Sequence, residues 1–278
     1  MRLAFVADIH GNLPALQAVA ADIARHGVAA VVNLGDMLSG PLLPRETAHW
    51  LMDQPGWLHI AGNHDRAVLT RALERQGASD AFATRALDKR ARDWLGSVVT
   101  STDASLHDGS RWAARLGGDV ALCHGSPRRD TEPLLETPAA PLMRLASEAE
   151  IDERLGGPGA PALGPAVRLL ACGHTHVARA LRRPRAGGDL LIVNPGSVGQ
   201  PAYEDGRGPD RYWVDSGSPD ARWALAERGP DGAWRASLHS VPYDHAAMAA
   251  LASEHGRPDW AHALRHGRWP REDVAEKV

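Results

Sequence analysis

The stretch Leu3-Ala4-Phe5-Val6-Ala7-Asp8-Ile9-His10-Gly11-Asn12 passes from an unbroken apolar run to a carboxylate and an imidazole two residues apart. A short apolar run cut off by polar chemistry reads as a strand buried on both faces. Behind it, residues 13 to 26 carry a helical pattern. Leu13, Leu16, Val19, Ala20 and Ile23 share one face, Pro14 sits in the first turn, Asn12 is placed as the N-cap, and Gly27 is the stop. A second strand is expected over 31 to 34, a helix over 47 to 53, and a third strand over 57 to 61. This alternation predicts βαβ units on a largely parallel sheet, hence an α/β fold.

Farther along, residues 66 to 97 read as helical, and residues 119 to 123 and 167 to 172 read as buried strands. Between them the pattern predicts a helix over about 138 to 155 and a flexible connector at Gly156-Gly157-Pro158-Gly159-Ala160-Pro161. Short strands are expected over 189 to 193, 210 to 215, 221 to 228 and 233 to 241. The last two form a hairpin around Gly229-Pro230-Asp231-Gly232. One or two helices close the chain. A single domain over 1 to 278 is expected, with a core over about 1 to 200 that residues 201 to 278 complete.

The formal net charge of −3 excludes a basic, nucleic-acid-tracking surface and equally an acidic disordered chain. Cys123 and Cys172 each end an apolar run and read as buried free thiols rather than a disulfide framework. No stretch approaches the ~18 apolar residues of a membrane span, and Leu3 to Ala7 is too short for a secretory leader. A cytoplasmic enzyme is the expectation.

Five polar clusters follow predicted strands: Asp8-Ile9-His10, Gly35-Asp36, Gly62-Asn63-His64-Asp65, His124-Gly125 and Gly173-His174-Thr175-His176. Strand ends at one sheet edge are where open α/β sheets bind ligands. The clusters supply two carboxylates, one amide oxygen and four imidazoles without thiolate, a set suited to Mn²⁺, Fe²⁺, Zn²⁺ or Ni²⁺. The D-x-H and H-x-H spacings put paired side chains on one side of an extended backbone. Glycines beside Asp36, Asn63, His174, His10 and His124 permit sharp turns. Seven ligands exceed the needs of one hydrated ion but fit two ions ~3.5–4 Å apart, sharing a carboxylate and lowering the pKa of a bridging water toward ~7. His64, not needed for coordination, is placed as proton donor to the leaving group, with Asp65 holding it charged and oriented.

In this order the blocks D-x-H, G-D, G-N-H-[DE], H and G-H-x-H resemble the calcineurin-like metallophosphoesterase superfamily over roughly residues 2 to 200. They are most similar to its compact bacterial and archaeal phosphodiesterases, whose N-P-G-S appears as Asn194-Pro195-Gly196-Ser197. The resemblance implies a four-layer αββα sandwich of two mixed sheets. It implies one metal on Asp8, His10, Asp36 and His176, and a second on Asp36, Asn63, His124 and His174. Asp36 would bridge, Mn²⁺ would support activity, and His64 would be the general acid.

Around the site, Arg128 is placed on an extra phosphate, as in a dinucleoside polyphosphate, and Asn194 and Ser197 near the substrate phosphate. Residues 130 to 166 are expected to cover the site in part. Arg25-His26-Gly27 and Arg265-His266-Gly267 follow helix-like segments and read as caps rather than phosphohistidine motifs. There is no P-loop, no G-x-G-x-x-G and no H-E-x-x-H. The leading expectation is a metal-dependent phosphoesterase for a small phosphorylated or nucleotide substrate. The alternatives are a protein phosphatase of the same superfamily and a non-catalytic metal-binding scaffold.

Overall fold

The computed structural model describes residues 1–108, 116, 118–156, 163–185 and 187–271, with backbone alone over 103–108. In chain order the elements begin β1 (Arg2–Val6), α1 (Leu13–Ile23), β2 (Ala30–Asn33), α2 (Pro44–Met52) and β3 (Trp57–His59). Next come α3 (Asn63–Thr70), α4 (Ala78–Ala86), α5 (Lys89–Asp108), β4 (Val120–Leu122), β5 (Glu136–Ala139), β6 (Leu142–Leu145) and α6 (Glu148–Gly156). Then follow β7 (Leu169–Ala171), β8 (Arg179–Arg183), β9 (Leu190–Asn194), β10 (Ala202–Asp205) and β11 (Tyr212–Asp215). The chain continues through β12 (Ala221–Arg228), β13 (Trp234–Val241), α7 (His245–Glu254) and α8 (Pro258–His266).

Two mixed sheets stack face to face. The first runs β13-β12-β1-β2-β3, with β1, β2 and β3 parallel; the second runs β4-β7-β9-β8, with β4, β7 and β9 parallel. Period-two alternation assigns every strand residue to a layer. On β1, Ala4 and Val6 face the helices, packing with Leu16 and Val19 of α1 and Leu95 of α5. Leu3 and Phe5 face the second sheet, where Leu169 and Ala171 of β7 and Val193 of β9 meet them. From the outer face of the second sheet, Leu170, Cys172 and Ile192 pack on Ile151 and Leu155 of α6. The layer order is therefore the αββα sandwich. Each fully buried Leu or Phe in such a layer contributes roughly 1.5–3 kcal/mol.

Beyond the two-sheet expectation, a third sheet of order β10-β11-β6-β5 is present. Its β5–β6 hairpin replaces the first half of the helix expected over 138 to 155. Pro138 and Pro141 lack the N–H a helix interior needs, whereas β5 is an edge strand that tolerates Pro138. The helix itself starts at Glu148. The helical stretch over 66 to 97 is broken into α3, α4 and the start of α5, and β8 and β10 lie outside the strands that the sequence pattern predicts. Most of the Gly-Pro connector lies outside the described residues. The hairpin β12–β13 pairs from Ala221↔Val241 to Arg228↔Trp234, and β12 extends the first sheet against β1. Asn12 caps α1 by accepting from Ala15 N–H at 3.3 Å, and Gly27, at φ 59°, ends the turn that follows α1. Cys123 and Cys172 are buried free thiols.

Candidate metal centre

Because β1, β2 and β3 are parallel, their exits share an edge, and the exits of β4 and β7 line up likewise in the second sheet. The edges are stitched together: Asp8 N–H donates to Gly35 O and His10 N–H to Asp36 O, each at 3.0 Å, and Gly173 N–H donates to His124 O at 2.7 Å. His174 N–H reaches across to Asp8 Oδ2 at 3.1 Å. Two groups result, with donor atoms within 4.8 Å of one another in each: Asp8, His10 and His176, and Asp36, His124 and His174. Asn63 joins the second, its Oδ1 3.1 Å from His124 Nε2. Asp36 Oδ2 lies 3.0 Å from His124 Nε2, and the Asp36 charge also acts on His10 of the first group.

The backbone here is not extended. Asp8, His10, Asp36, His174 and His176 have φ of 51° to 70°, and among the described residues they are the only non-glycine residues with positive φ. Left-handed conformations of this kind cost about 1–3 kcal/mol each and concentrate at ligand sites. They, rather than strand alternation, aim the paired side chains inward. Glycine is required beside them: a Cβ on Gly62 would overlap the Asp36 carboxylate.

The imidazoles are set for ligation by their outward nitrogens. His10 Nδ1 faces Ser39 O at 2.6 Å, His124 Nδ1 faces Leu34 O at 2.7 Å, and His176 Nδ1 faces Gln200 O at 2.8 Å. A carbonyl only accepts, so each Nδ1 carries a proton, and the Nε2 lone pairs of His10 and His176 point inward. His124 Nε2 instead faces Asp36 Oδ2 at 3.0 Å, and although burial opposes a charge there, Asp36 outweighs it and raises His124 to about 10. His10 Nε2 and His176 Nε2 consequently face each other at 3.2 Å, and Asp8 Oδ1 is buried with no hydrogen-bond partner. Buried lone pairs left facing one another are unfavourable unless a cation sits among them. The donor set therefore fits divalent metal. Burial, then the neighbouring histidine (His176 for His10, His124 for His174), pulls His10 and His174 down to about 4, so both are neutral at pH 7. Burial opposes ionisation of Asp36, but His124 and then His64 hold it well below the carboxylate range.

His64 opens α3 beside this centre, its N–H donating to Asp36 Oδ1 at 2.9 Å and its ring 5.7 Å from that of His10. Its partner is not Asp65. Asp65 is fully buried and turned away, accepting backbone N–H groups from Gly62 and Asp36 on Oδ2 and from Met37 on Oδ1 at 2.8–3.0 Å. Through these bonds it joins the start of α3 to the loop after β2. His64 Nδ1 instead faces Asp80 Oδ1, on α4, at 2.7 Å. Ser39 Oγ donates to the same oxygen at 2.6 Å, so a chain of contacts runs from His10 through Ser39 and Asp80 to His64. Burial works against a charge on His64, but Asp36 and then the Asp80 bond outweigh it and lift it to about 9. Nothing local in the sequence marks Asp80, since an acid in a first helical turn is common.

The C-terminal helices brace this side. Arg257 donates to Ser79 Oγ at 3.0 Å, His255 packs on Phe82 at 4.8 Å, and the Trp260 ring lies 6.0 Å from that of His10. The expected substrate contacts are otherwise engaged. Arg128 is paired with Glu132 and, at 3.1 Å, with Glu153. Asn194 Nδ2 donates to Gly173 O and Thr175 Oγ1, and Ser197 Oγ donates to Asp8 O. Both Asn194 and Ser197 are buried supports of the loops that carry His174 and Asp8 rather than exposed phosphate donors. Residues 130 to 166 contribute Glu136, a buried acceptor for Thr175 Oγ1 at 2.7 Å and Arg179 at 2.8 Å, which anchors the H-x-H loop.

The calcineurin-like phosphoesterase superfamily domain model matches residues 1–209. The uncharacterized protein MJ0912 of Methanocaldococcus jannaschii is 39% identical over 67 residues, which are 24% of this chain and 27% of that protein. In three dimensions the chain is similar to a metallophosphoesterase of Sphaerobacter thermophilus (TM-score 0.63, 24% identity, covering 96% of this chain and 99% of that one). It is likewise similar to the hypothetical protein PH1004 of Pyrococcus horikoshii (TM-score 0.64, 16% identity, covering 96% and 98%). Among the described residues no helix is long and apolar enough to cross a membrane.

Proposed function

Because this chain belongs to the calcineurin-like phosphoesterase superfamily, we propose that it hydrolyses phosphodiesters of a small phosphorylated or nucleotide substrate. Two divalent transition-metal ions serve the reaction, with Mn²⁺ the first choice. The observation that carries this is the convergence of the Nε2 atoms of His10, His124 and His176 on two buried carboxylates, Asp8 and Asp36. Asp8, His10, Asp36 and His176 hold one ion, and Asp36, Asn63, His124 and His174 hold the other. When bound, the pair polarises the phosphoryl oxygens and lowers the pKa of a water toward ~7.

The remaining chemistry belongs to side chains. His64, 40% exposed, carries a carboxylate on Nδ1 where His10, His124 and His176 carry main-chain carbonyls. It donates a proton to the departing oxygen through Nε2 while Asp80 holds Nδ1. Once cations occupy Asp36, the charge on His64 depends on Asp80. Arg128 is engaged elsewhere and lends no support to a polyphosphate preference. The buried free thiols support a reducing, cytoplasmic setting, and residues 1 to 278 are taken as one domain.

Turnover of p-nitrophenyl phosphate, bis-p-nitrophenyl phosphate, a 2′,3′-cyclic nucleotide and a diadenosine polyphosphate, with Mn²⁺ and with chelator, tests this. Metal-dependent turnover with the diesters fastest is expected. Two metals bound and no turnover of any of the four would instead favour a scaffold.

A further inference from the structure

Among the described residues, a third group of side chains able to hold a metal stands apart from the strand exits. Asp22, His26 and His239 bring their donor atoms within 4.8 Å of one another. From Asn12, beside the first centre, to His26 the chain climbs α1 and its terminal turn, about 20 Å at 1.5 Å per residue. The two clusters thus lie at opposite ends of one helix.

This group is built on Trp223, a fully buried residue of β12. The indole Nε1–H donates to Asp22 Oδ2 at 2.8 Å and orients the carboxylate. The His239 ring, from β13, lies flat on the indole, centroids 4.2 Å apart and planes 15° apart. His26 meets both rings edge-on, at 5.1 Å from Trp223 and 5.0 Å from His239. Ser237 Oγ reaches His239 Nε2 at 2.9 Å and limits its rotation. One side chain competes for Asp22: Arg25 pairs with Oδ1, but it is 71% exposed, and a solvent-screened pair of this kind is worth little. Burial and then the neighbouring His26 favour the neutral form of His239, the form that ligates.

We infer that Asp22, His26 and His239 form a further, mononuclear metal site that takes a borderline divalent ion such as Zn²⁺ and clasps the end of α1 to edge strand β13. Two imidazoles and one carboxylate with a position left for water is a recognised donor set for such ions. Tetrahedral bonds of about 2.0–2.1 Å place donors roughly 3.3 Å apart. The closing movement falls on His26, on a short exposed turn. The site is independent of the proposed hydrolysis.

Crystals soaked in a few equivalents of zinc, with anomalous differences at the zinc edge, locate the ion. Zinc content after desalting counts it, for wild type, His26→Ala and His239→Asn. Asn keeps a planar group on Trp223, so that variant preserves the packing. Wild type is expected to show a peak bonded to all three residues. Each variant is expected to lose that peak and one equivalent per chain, with bis-p-nitrophenyl phosphate turnover unchanged. Equal zinc content in all three proteins, or a peak that needs millimolar zinc and so reports an adventitious ion only, would overturn the assignment. Peaks at Asp8 and Asp36 report separately on the strand-edge centre.

Discussion

The centre has two walls, and they are made differently. The ligand wall is formed by strand exits. Its side chains lie within a few residues of a strand, its backbone is held left-handed at five non-glycine positions, and three of its four histidines are pinned by main-chain carbonyls. The acid wall is formed by helices: His64 from α3, Asp80 from α4, and Arg257 and Trp260 from the C-terminal pair. Its contacts join residues 16 to about 250 apart in sequence. Position on the first wall is set by strand exits held edge to edge, as where His174 N–H reaches Asp8, and on the second by helix packing, so the first should tolerate little backbone change and the second should respond gradually.

Substitutions can break or sharpen that contrast. The largest effect is expected from His64→Ala, which should lower kcat about 10²–10⁴-fold while bound metal stays the same. Loss of metal would place His64 in the ligand wall instead. Asp65→Asn should act on the fold, because an amide cannot accept from three backbone N–H groups. A loss of roughly 3 kcal/mol in denaturant unfolding is expected, and unchanged stability would contradict the stitching role. Asp80→Asn should leave stability and metal content near wild type and slow turnover about 10–100-fold. The slowing should be greater for a cyclic nucleotide, whose alkoxide needs a proton, than for a p-nitrophenyl ester, whose leaving group does not. Equal slowing of both would mean that Asp80 does not serve the proton donor. Smallest of all, Arg128→Ala should shift stability by less than about 1 kcal/mol and leave KM for a diadenosine polyphosphate unchanged; a raised KM would return it to the substrate.

How much of this was legible follows the same division. Asp8, His10, Asp36, Asn63, His124, His174 and His176 could all be named because each follows an apolar run within a few residues, and parallel strands bring such exits to one edge. The apolar runs by themselves pointed to an α/β fold on a largely parallel sheet; the αββα layering came from the family resemblance. Proximity in sequence is a poor guide to which side chains pair. Asp65 neighbours His64, yet a residue one step along a helix points about 100° away, and its carboxylate caps instead. Arg128 follows His124, but Glu132 and Glu153 reach it first. Pro138 and Pro141 sat within a helical pattern, and missing N–H donors turned the segment into an edge hairpin.

By itself, then, the sequence determined the strand–helix alternation of the first third of the chain, the donor types, and the glycines without which Asp36 has no room. These are properties of adjacent residues, where sterics and hydrophobic period act over a few bonds. Only the tertiary structure decided which carboxylate faces His64, which main-chain carbonyls fix the imidazole tautomers, and that Asp22, His26 and His239 gather on Trp223. Those outcomes depend on how layers pack, and a hydrogen bond or a ring stack is settled by distance in space, whatever the separation in sequence.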